Sequence, residues 1–142
     1  MDKSTLHNCG EKSYQHIFIF HRERDGDRIG HTETMTIQEL IEKAAELQIS
    51  LSETQVKQLE QYAQLLAEWN EKMNLTAITE HGEILEKHFY DSILPLGKAK
   101  IFGKVADVGT GAGFPGLVWK IVKPELDVSL IEPTGKRCTF LE

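Results

Sequence analysis

Apolar residues recur at helical spacing through residues 35–97. Thr36 and Glu39 have the spacing of a capping box, in which each side chain bonds the other residue's backbone N–H, and an apolar helix face follows them. Ser52 and Gln55 open a second, longer helix in the same way. The predicted buried face of that helix consists of Val56, Leu59, Ala63, Leu66, Trp69 and Met73.

A third helix is predicted from Glu83 to Leu94. Asn74 is expected to end the second helix, and Pro95 and Gly97, both unfavourable inside a helix, are expected to end the third. The apolar side of the third helix consists of Ile84, Leu85, Phe89 and Ile93. Residues 35–97 are therefore interpreted as an all-helical subdomain.

The spacing of apolar residues changes from helical to strand-like in residues 98–142. Lys104–Val108 is a short apolar strand that leads directly into glycines, and Asp127–Ile131 is a second strand. Pro115 suits the first turn of the helix between them, because proline lacks the N–H that this turn leaves unbonded, and Pro124 ends that helix. A strand–helix–strand crossover implies parallel strands. The predicted fold class is α/β, with a helical subdomain followed by the first βαβ unit of a second domain.

Residues 1–34 differ from the rest of the chain. They hold four of the six histidines and a cluster of charged residues, without a sustained hydrophobic period. We expect this segment to be a disordered extension, with Met35 as the natural start. The histidine spacings are irregular, which does not favour a metal site.

The composition is typical of a soluble globular protein, with 40% hydrophobic and 27% charged residues. The apolar run 17–20 is far shorter than the ~18 residues that a membrane helix needs. Cys9 and Cys138 are far apart and are expected to be free thiols in a reducing compartment. We therefore expect a cytoplasmic protein with no membrane partner and no metal.

Charge is distributed unevenly along the chain. The net charge is −6; residues 35–83 carry three Lys and nine Glu, whereas residues 84–142 carry seven Lys, one Arg and seven acidic residues. Contact with an anionic partner is therefore expected to involve the second half. The candidates are Lys98, Lys100, Lys104, Lys136 and Arg137. Lysines are also common in a solvated loop, so the alternative that the first three have no role in RNA binding stays open.

The glycines after the first predicted strand indicate a ligand-binding loop. The sequence from Asp107 to Gly113 reads Asp-Val-Gly-Thr-Gly-Ala-Gly, and glycine allows a tight turn and a close approach of backbone N–H groups to a ligand. Glu132 follows the second strand, 23 residues beyond Gly109, where an acid can bind two ribose hydroxyls. This arrangement serves NAD, FAD and S-adenosylmethionine alike.

Two details favour S-adenosylmethionine over a dinucleotide. The carboxylate of Asp107 would repel a pyrophosphate, but it can accept hydrogen bonds from the ammonium group of a methionine moiety. The loop with Gly109, Gly111 and Gly113 is also longer than a dinucleotide turn requires. Gly111-x-Gly113-x-x-Gly116 formally matches the dinucleotide fingerprint, so an NAD-dependent dehydrogenase is kept as a more distant alternative.

Several sequence blocks, in order, resemble one enzyme family. The blocks are Trp69-Asn70, Asn74-Leu75-Thr76, His88-Phe89-Tyr90-Asp91-Ser92, Asp107 to Gly116, Gly135-Lys136-Arg137 and Phe140-Leu141. Together they resemble the small-subunit ribosomal RNA methyltransferase G family (RsmG, also called glucose-inhibited division protein B). The resemblance runs from about residue 35 to the last residue.

This resemblance implies a Rossmann-like class I methyltransferase that moves a methyl group from S-adenosylmethionine to guanine N7 of 16S ribosomal RNA. It implies cofactor contacts at Gly109 and Phe114 and an acid for the ribose at Glu132. Guanine N7 is already nucleophilic, so alignment and electrostatics carry the chemistry and no catalytic base is assigned. 16S RNA or the small ribosomal subunit is the implied partner.

For three conspicuous side chains we favour a structural role over a functional one. Trp69 lies on the apolar face of the second helix and is assigned to the core in preference to RNA stacking. His88 and Asp91 lie three residues apart, and a structural hydrogen bond where the helices meet the second domain is favoured over catalysis.

Only ten residues follow Glu132, so the sequence is expected to represent the N-terminal part of such an enzyme. One crossover does not bury both faces of a parallel sheet. The chain alone is therefore expected to be inactive, to bind cofactor weakly, and to expose apolar surface at Val105, Val108, Leu130 and Ile131. A non-catalytic helical interaction module with a remnant nucleotide loop is the alternative.

Overall fold

The computed structural model describes residues 16–17 and 34–142. It is rich in helices and has one small parallel sheet. The strands are β1 (His16–Ile17), β2 (Lys104–Val108) and β3 (Asp127–Ile131). The helices are α1 (Ile37–Glu46), α2 (Glu53–Met73), α3 (His81–Glu83), α4 (Asp91–Lys98), α5 (Gly116–Val122) and α6 (Gly135–Leu141), and a π-helical segment, Ile84–Tyr90, joins α3 to α4.

Both predicted capping boxes are present. The Thr36 N–H donates to Glu39 Oε2 at 2.7 Å, and the Glu39 N–H donates to Thr36 Oγ1 at 3.2 Å. Ser52 and Gln55 exchange the equivalent pair of bonds at 2.8 and 3.2 Å. Asn74 ends α2 in the left-handed conformation, with φ at 49°. Short-range hydrogen bonding thus defines where α1 and α2 begin, as the sequence indicated.

The third helix is longer than predicted. It extends from α3 through the π-helical segment to Lys98, so the prediction that Pro95 and Gly97 end it is wrong. The four predicted apolar residues are fully buried, and buried residues come in adjacent pairs every four positions, which suits the wider π-helical turn. Gly97 permits close packing instead: a Cβ there would lie 2.8 Å from Leu47 Cβ.

The sheet has the order β1-β2-β3, with all neighbours parallel. β2 and β3 pair along their full length, from Lys104 opposite Asp127 to Val108 opposite Ile131. These two strands have the predicted bounds. β1 belongs to the segment predicted as a disordered extension, and its two residues pair with the middle of β2; apart from Thr34, the rest of that prediction lies outside the described residues.

One apolar core joins the helical residues to the α/β residues. Leu40, Leu59 and Leu66 from α1 and α2 belong to the same buried cluster as Val118 and Val122 from α5. The Gln55 side-chain amide also donates to the backbone oxygens of Ile121 and Val122, at 3.1 and 3.0 Å. Residues 35–97 and 98–142 therefore pack as a continuous body among the described residues.

A smaller cluster covers β2. Ile101, Val105, Trp119 and Leu126 are buried together. The prediction that Val105 is exposed is therefore wrong, because α5 and the segment before β3 cover it. Val108 is 64% exposed, as predicted, and Leu130 and Ile131 are half-buried.

Candidate cofactor site

The glycine loop begins at the carboxyl end of β2, next to the carboxyl end of β3. The N–H of Gly109 donates to Ile131 O at 2.7 Å, which holds the start of the loop against β3. Gly109 and Gly111 have φ at 72° and 62°, a region that favours glycine. A Cβ at either position would meet nothing within 4 Å. The loop therefore presents two residues without side chains to open space.

Asp107 joins the two ends of this loop. Its Oδ2 accepts a hydrogen bond from Thr110 Oγ1 at 2.7 Å and another from the Gly116 N–H at 2.8 Å. Burial raises the pKa of the Asp107 carboxyl above its ordinary value, the two hydrogen bonds lower it, and the negative charge of Glu132 raises it. The net direction is upward. Asp107 thus carries a costly partly buried charge at the site predicted to receive a ligand's ammonium group.

Glu132 lies on the other side of the loop and is buried. Its Oε2 accepts a hydrogen bond from the Gly111 N–H at 2.7 Å, and its Oε1 accepts one from the Thr134 N–H at 3.1 Å. Arg137 Nη1 lies 3.9 Å from Oε1. The acid that was predicted to bind a ribose therefore also holds the loop. A carboxylate has about four acceptor positions, so capacity for hydroxyl donors remains.

Gly113 and Gly116 serve close packing. A Cβ on Gly113, whose φ is 105°, would lie 2.6 Å from the Tyr62 hydroxyl. A Cβ on Gly116 would lie 2.5 Å from Leu130 Cδ2 and 2.8 Å from Asp107 Oδ2. Gly113, predicted as a cofactor contact, thus faces the helices, whereas Gly109 and Gly111 face open space.

Phe114 packs against the helical residues. Its ring stacks on His88 with 4.3 Å between centroids and 9° between planes, and it lies 5.5 Å from the ring of Tyr62. Phe114 is half-buried, so part of its surface stays accessible beside the loop. The aromatic cluster, defined as Tyr62, Trp69, His88, Phe89, Phe114 and Phe140, connects α2, the π-helical segment, the loop and α6.

His88 takes part in a structural hydrogen bond with the residues that follow α2. His88 Nε2 and Thr76 Oγ1 share a hydrogen bond at 2.9 Å, while Asp91 is exposed. The Thr76 N–H in turn donates to the buried Asn70 side chain at 2.7 Å. Trp69 is half-buried and meets Phe140 edge-on at 5.6 Å, which agrees with its predicted place in the core.

The five candidate RNA-contacting cations lie at two different places. Lys98 ends α4, Lys100 follows it, and Lys104 begins β2. Lys104 thus lies at the opposite end of the strand from the loop, roughly 13 Å from Val108 along the strand. Lys136 and Arg137 lie in the first turn of α6, close to Glu132. Of the five, Arg137 approaches the acid that is bonded to the glycine loop, and Lys136 is its exposed neighbour in the chain.

Sequence reasoning did not identify Tyr62 or Thr110 as parts of the site. The Tyr62 hydroxyl donates to Ala112 O within the loop, across 50 residues of sequence. Burial, and secondarily the charge of Asp107, raises the pKa of Tyr62, so its hydroxyl stays protonated. The helical spacing of Tyr62 from Leu59 and Leu66 could have placed it on the buried face of α2. Nothing in the sequence near Tyr62 indicates that its hydroxyl bonds Ala112.

Among the described residues, no set of three or more His, Cys, Asp or Glu side chains is grouped in a way that suits a metal ion. Cys138 Sγ donates to Glu132 O at 3.1 Å and is a free thiol. No helix within the described ranges is long and apolar enough to cross a membrane.

Comparison with known proteins yields one family. A family model described as rRNA small subunit methyltransferase G matches residues 55–142. Proteins named ribosomal RNA small subunit methyltransferase G are similar to this chain. That of Lactococcus lactis subsp. cremoris (strain SK11) is 49% identical over 110 residues, which are 75% of this chain and 46% of that protein.

Two streptococcal relatives with the same name give similar values. The protein of Streptococcus sanguinis (strain SK36) is 50% identical over 76% of this chain and 47% of its own length. That of Streptococcus pneumoniae serotype 19F (strain G54) is 52% identical over 69% of this chain and 43% of its own length. The chain therefore spans about half the length of the curated relatives it matches.

Proposed function

This chain belongs to the rRNA small subunit methyltransferase G family, and on that premise we propose that it serves to transfer a methyl group from S-adenosylmethionine to guanine N7 of small-subunit ribosomal RNA. In this proposal β2, α5 and β3 form the first unit of a Rossmann-like class I methyltransferase domain. The proposed location of the protein is the cytoplasm. The observation that carries the proposed function is the open space beside Gly109 and Gly111, in a loop that is hydrogen-bonded to the carboxylates of Asp107 and Glu132.

The residues around this space fit S-adenosylmethionine. Gly109 and Gly111 leave room for a ligand to approach the backbone, and a side chain at either position would enter that room. Asp107 accepts from the ammonium group and Glu132 accepts from the ribose hydroxyls, in addition to their bonds to the loop. Phe114 offers its accessible surface for contact with the adenine ring.

A dinucleotide fits less well. Its pyrophosphate needs free backbone N–H groups at the start of the helix and no negative charge close by. Here the Gly116 N–H is bonded to Asp107 and the Gly111 N–H to Glu132, both through carboxylates. These two donors are thus already satisfied by anions. This favours a cationic sulfonium ligand over NAD.

Methyl transfer to guanine N7 requires binding and alignment from the protein but no general base. Bound S-adenosylmethionine supplies an electrophilic methyl group on a positively charged sulfur. The chain's residues hold that ligand by its two ends and align it with the guanine, and no side chain needs to remove a proton because N7 has a free lone pair. Lys136 and Arg137 lie in the first turn of α6, after the acid that is bonded to the loop, and in this proposal they bind the RNA backbone near the target nucleotide.

The test uses two proteins: this chain, and a chimera in which it is followed by the C-terminal half of the Lactococcus lactis relative. Calorimetry with S-adenosylhomocysteine measures binding, and transfer of a radioactive methyl group to small ribosomal subunits lacking the modification measures activity. We expect the chimera to bind and to methylate a guanine at N7. Binding by neither protein, while the Lactococcus lactis protein itself binds, would support the non-catalytic helical module instead.

A further inference from the structure

Tyr62 connects the helical subdomain to the glycine loop through a side-chain hydrogen bond, beside the ring contacts of His88 and Phe89 with Phe114. It lies in the middle of α2, is 5% exposed, and donates its hydroxyl hydrogen to the Ala112 backbone oxygen. The other hydrogen bonds described above for the loop come from Asp107, Ile131 and Glu132, within the βαβ unit itself. Tyr62 therefore adds a restraint from outside that unit.

Gly113 and the Tyr62 hydroxyl fit each other closely. A Cβ on Gly113 would lie 2.6 Å from the hydroxyl oxygen and 3.0 Å from Leu117 Cβ. The hydroxyl thus fills the space that the absent side chain leaves. Ala112 and Gly113 directly follow Gly111, which faces the proposed ligand space. A shift of the hydroxyl would move the backbone that presents Gly111.

The ring of Tyr62 has little freedom to move. It stacks on Phe89 with 5.2 Å between centroids, on Phe114 with 5.5 Å and on Phe140 with 6.3 Å. Phe114 belongs to the loop and Phe140 to α6, the helix after Glu132. One side chain from α2 is therefore in contact with the elements that follow both β2 and β3.

We propose that Tyr62 is a positioning residue that holds the glycine loop in its ligand-binding conformation, so that cofactor affinity depends on a side chain of the helical subdomain. This inference rests on the proposed function, because it takes the loop to bind S-adenosylmethionine. It predicts a local effect on the loop that is separate from the stability of the helical core.

The first experiment needs no cofactor. Tyr62→Phe keeps the ring and removes the hydroxyl, and NMR-detected amide exchange is compared with the wild-type chain. The N–H groups of Gly113 and Phe114, both bonded to Thr110 O, should exchange roughly five- to tenfold faster, the factor expected from one buried hydrogen bond. The Ala112 carbonyl carbon should shift, and protection in α1 should stay unchanged. Tyr90→Phe, a half-buried tyrosine that contacts Lys43, is the matched control.

Unchanged exchange at Gly113 and Phe114 in Tyr62→Phe would overturn the proposal. So would an equal loss of protection in α1 and the loop, because Tyr62 would then stabilise the core as a whole. Gly113→Ala provides a second variant. If the hydroxyl and the loop are coupled as proposed, Gly113→Ala should speed loop exchange less in the Tyr62→Phe background, where the clash with the hydroxyl is absent.

The second experiment measures S-adenosylhomocysteine affinity in the chimera. We expect Tyr62→Phe to weaken binding roughly five- to tenfold and Tyr90→Phe to leave it unchanged. Unaltered affinity despite faster loop exchange would overturn the inference and leave the proposed function standing. A wild-type chimera that does not bind, with a loop that still responds to Tyr62→Phe, would contradict the proposed function itself.

Discussion

Glu132 Oε2 accepts a hydrogen bond from the Gly111 N–H at 2.7 Å, so the acid after β3 is bonded to the loop after β2. The same carboxylate accepts from the Thr134 N–H at the start of α6. The side chain that the sequence predicts to bind a ligand therefore joins the loop to α6 in the structure. We expect substitutions at this position to change stability, and under the proposed function to change binding as well.

Glu132→Gln should destabilise the fold by about 1–3 kcal/mol, because the new NH2 group of this buried side chain faces a backbone N–H of either Gly111 or Thr134, and two donors then oppose each other. Urea unfolding measures this change. Glu125→Gln, at an exposed position, is the control and should stay within about 0.5 kcal/mol of the wild type. Equal stability of the two variants would contradict a stabilising role of the two Glu132 hydrogen bonds.

Alanine at Gly111 and at Gly113 should have different consequences. Gly111→Ala adds a methyl group in open space, so it should cost about 1–2 kcal/mol for its positive φ and strongly weaken S-adenosylhomocysteine binding in the chimera. Gly113→Ala should cost more stability, because its Cβ also meets Tyr62 and Leu117. Urea unfolding and calorimetry check the two effects. A larger loss of stability at Gly111 would contradict the geometry.

Asp107→Asn should change how stability depends on pH. Because the folded pKa of Asp107 is raised above its ordinary value of 3.8, the unfolded chain releases this proton first as the pH rises. The folded state therefore loses stability as the pH rises from about the ordinary value through the raised folded pKa. Above the folded pKa the full cost of the buried charge is present.

Unfolding free energies of the wild type and Asp107→Asn, measured from pH 3 to 7, test this. The stability of Asp107→Asn relative to the wild type should increase with pH over this range. In the chimera, Asp107→Asn should also bind S-adenosylhomocysteine more weakly than the unsubstituted chimera does. A relative stability that is constant with pH would show that the folded state does not penalise the charge of Asp107.

The two groups of cations should have separable effects on RNA. Replacing Lys98, Lys100 and Lys104 with alanine removes charge before and at the start of β2, whereas Lys136→Ala removes charge in the first turn of α6, after Glu132. If all four bind phosphates, the triple variant should lower the salt slope of RNA binding by roughly 2–3 units and the single variant by roughly 1. In the chimera, Lys136→Ala should reduce the methylation rate at saturating RNA more than the triple variant does. The reverse order would contradict this placement.

Features set by neighbouring residues were predictable from the sequence. The capping boxes of Thr36 and Ser52 depend on a residue three positions away, and the bounds of β2 and β3 follow from short apolar runs beside turn residues. The open face of the loop at Gly109 and Gly111 also matches the chemical reason for glycines at a strand end. In each case, the cause lies within a few residues of the effect.

Features set by tertiary packing were not predictable. Pro95 and Gly97 weaken a helix locally, yet the helix continues to Lys98, where Gly97 packs against Leu47. Val105 is buried by Trp119, and Tyr62 reaches the loop across 50 residues. A single sequence specifies such contacts through the whole fold and gives no local indication of them.

The core that runs from Leu40 to Val122 has a consequence for synthesis on the ribosome. The helical residues leave the exit tunnel first, but their buried faces are not complete until α5 has also emerged. Until then, Leu59 and Leu66 remain accessible to chaperones and proteases. We therefore expect nascent chains that end shortly after Gly97 to be held by chaperones, and release to follow the emergence of Val122.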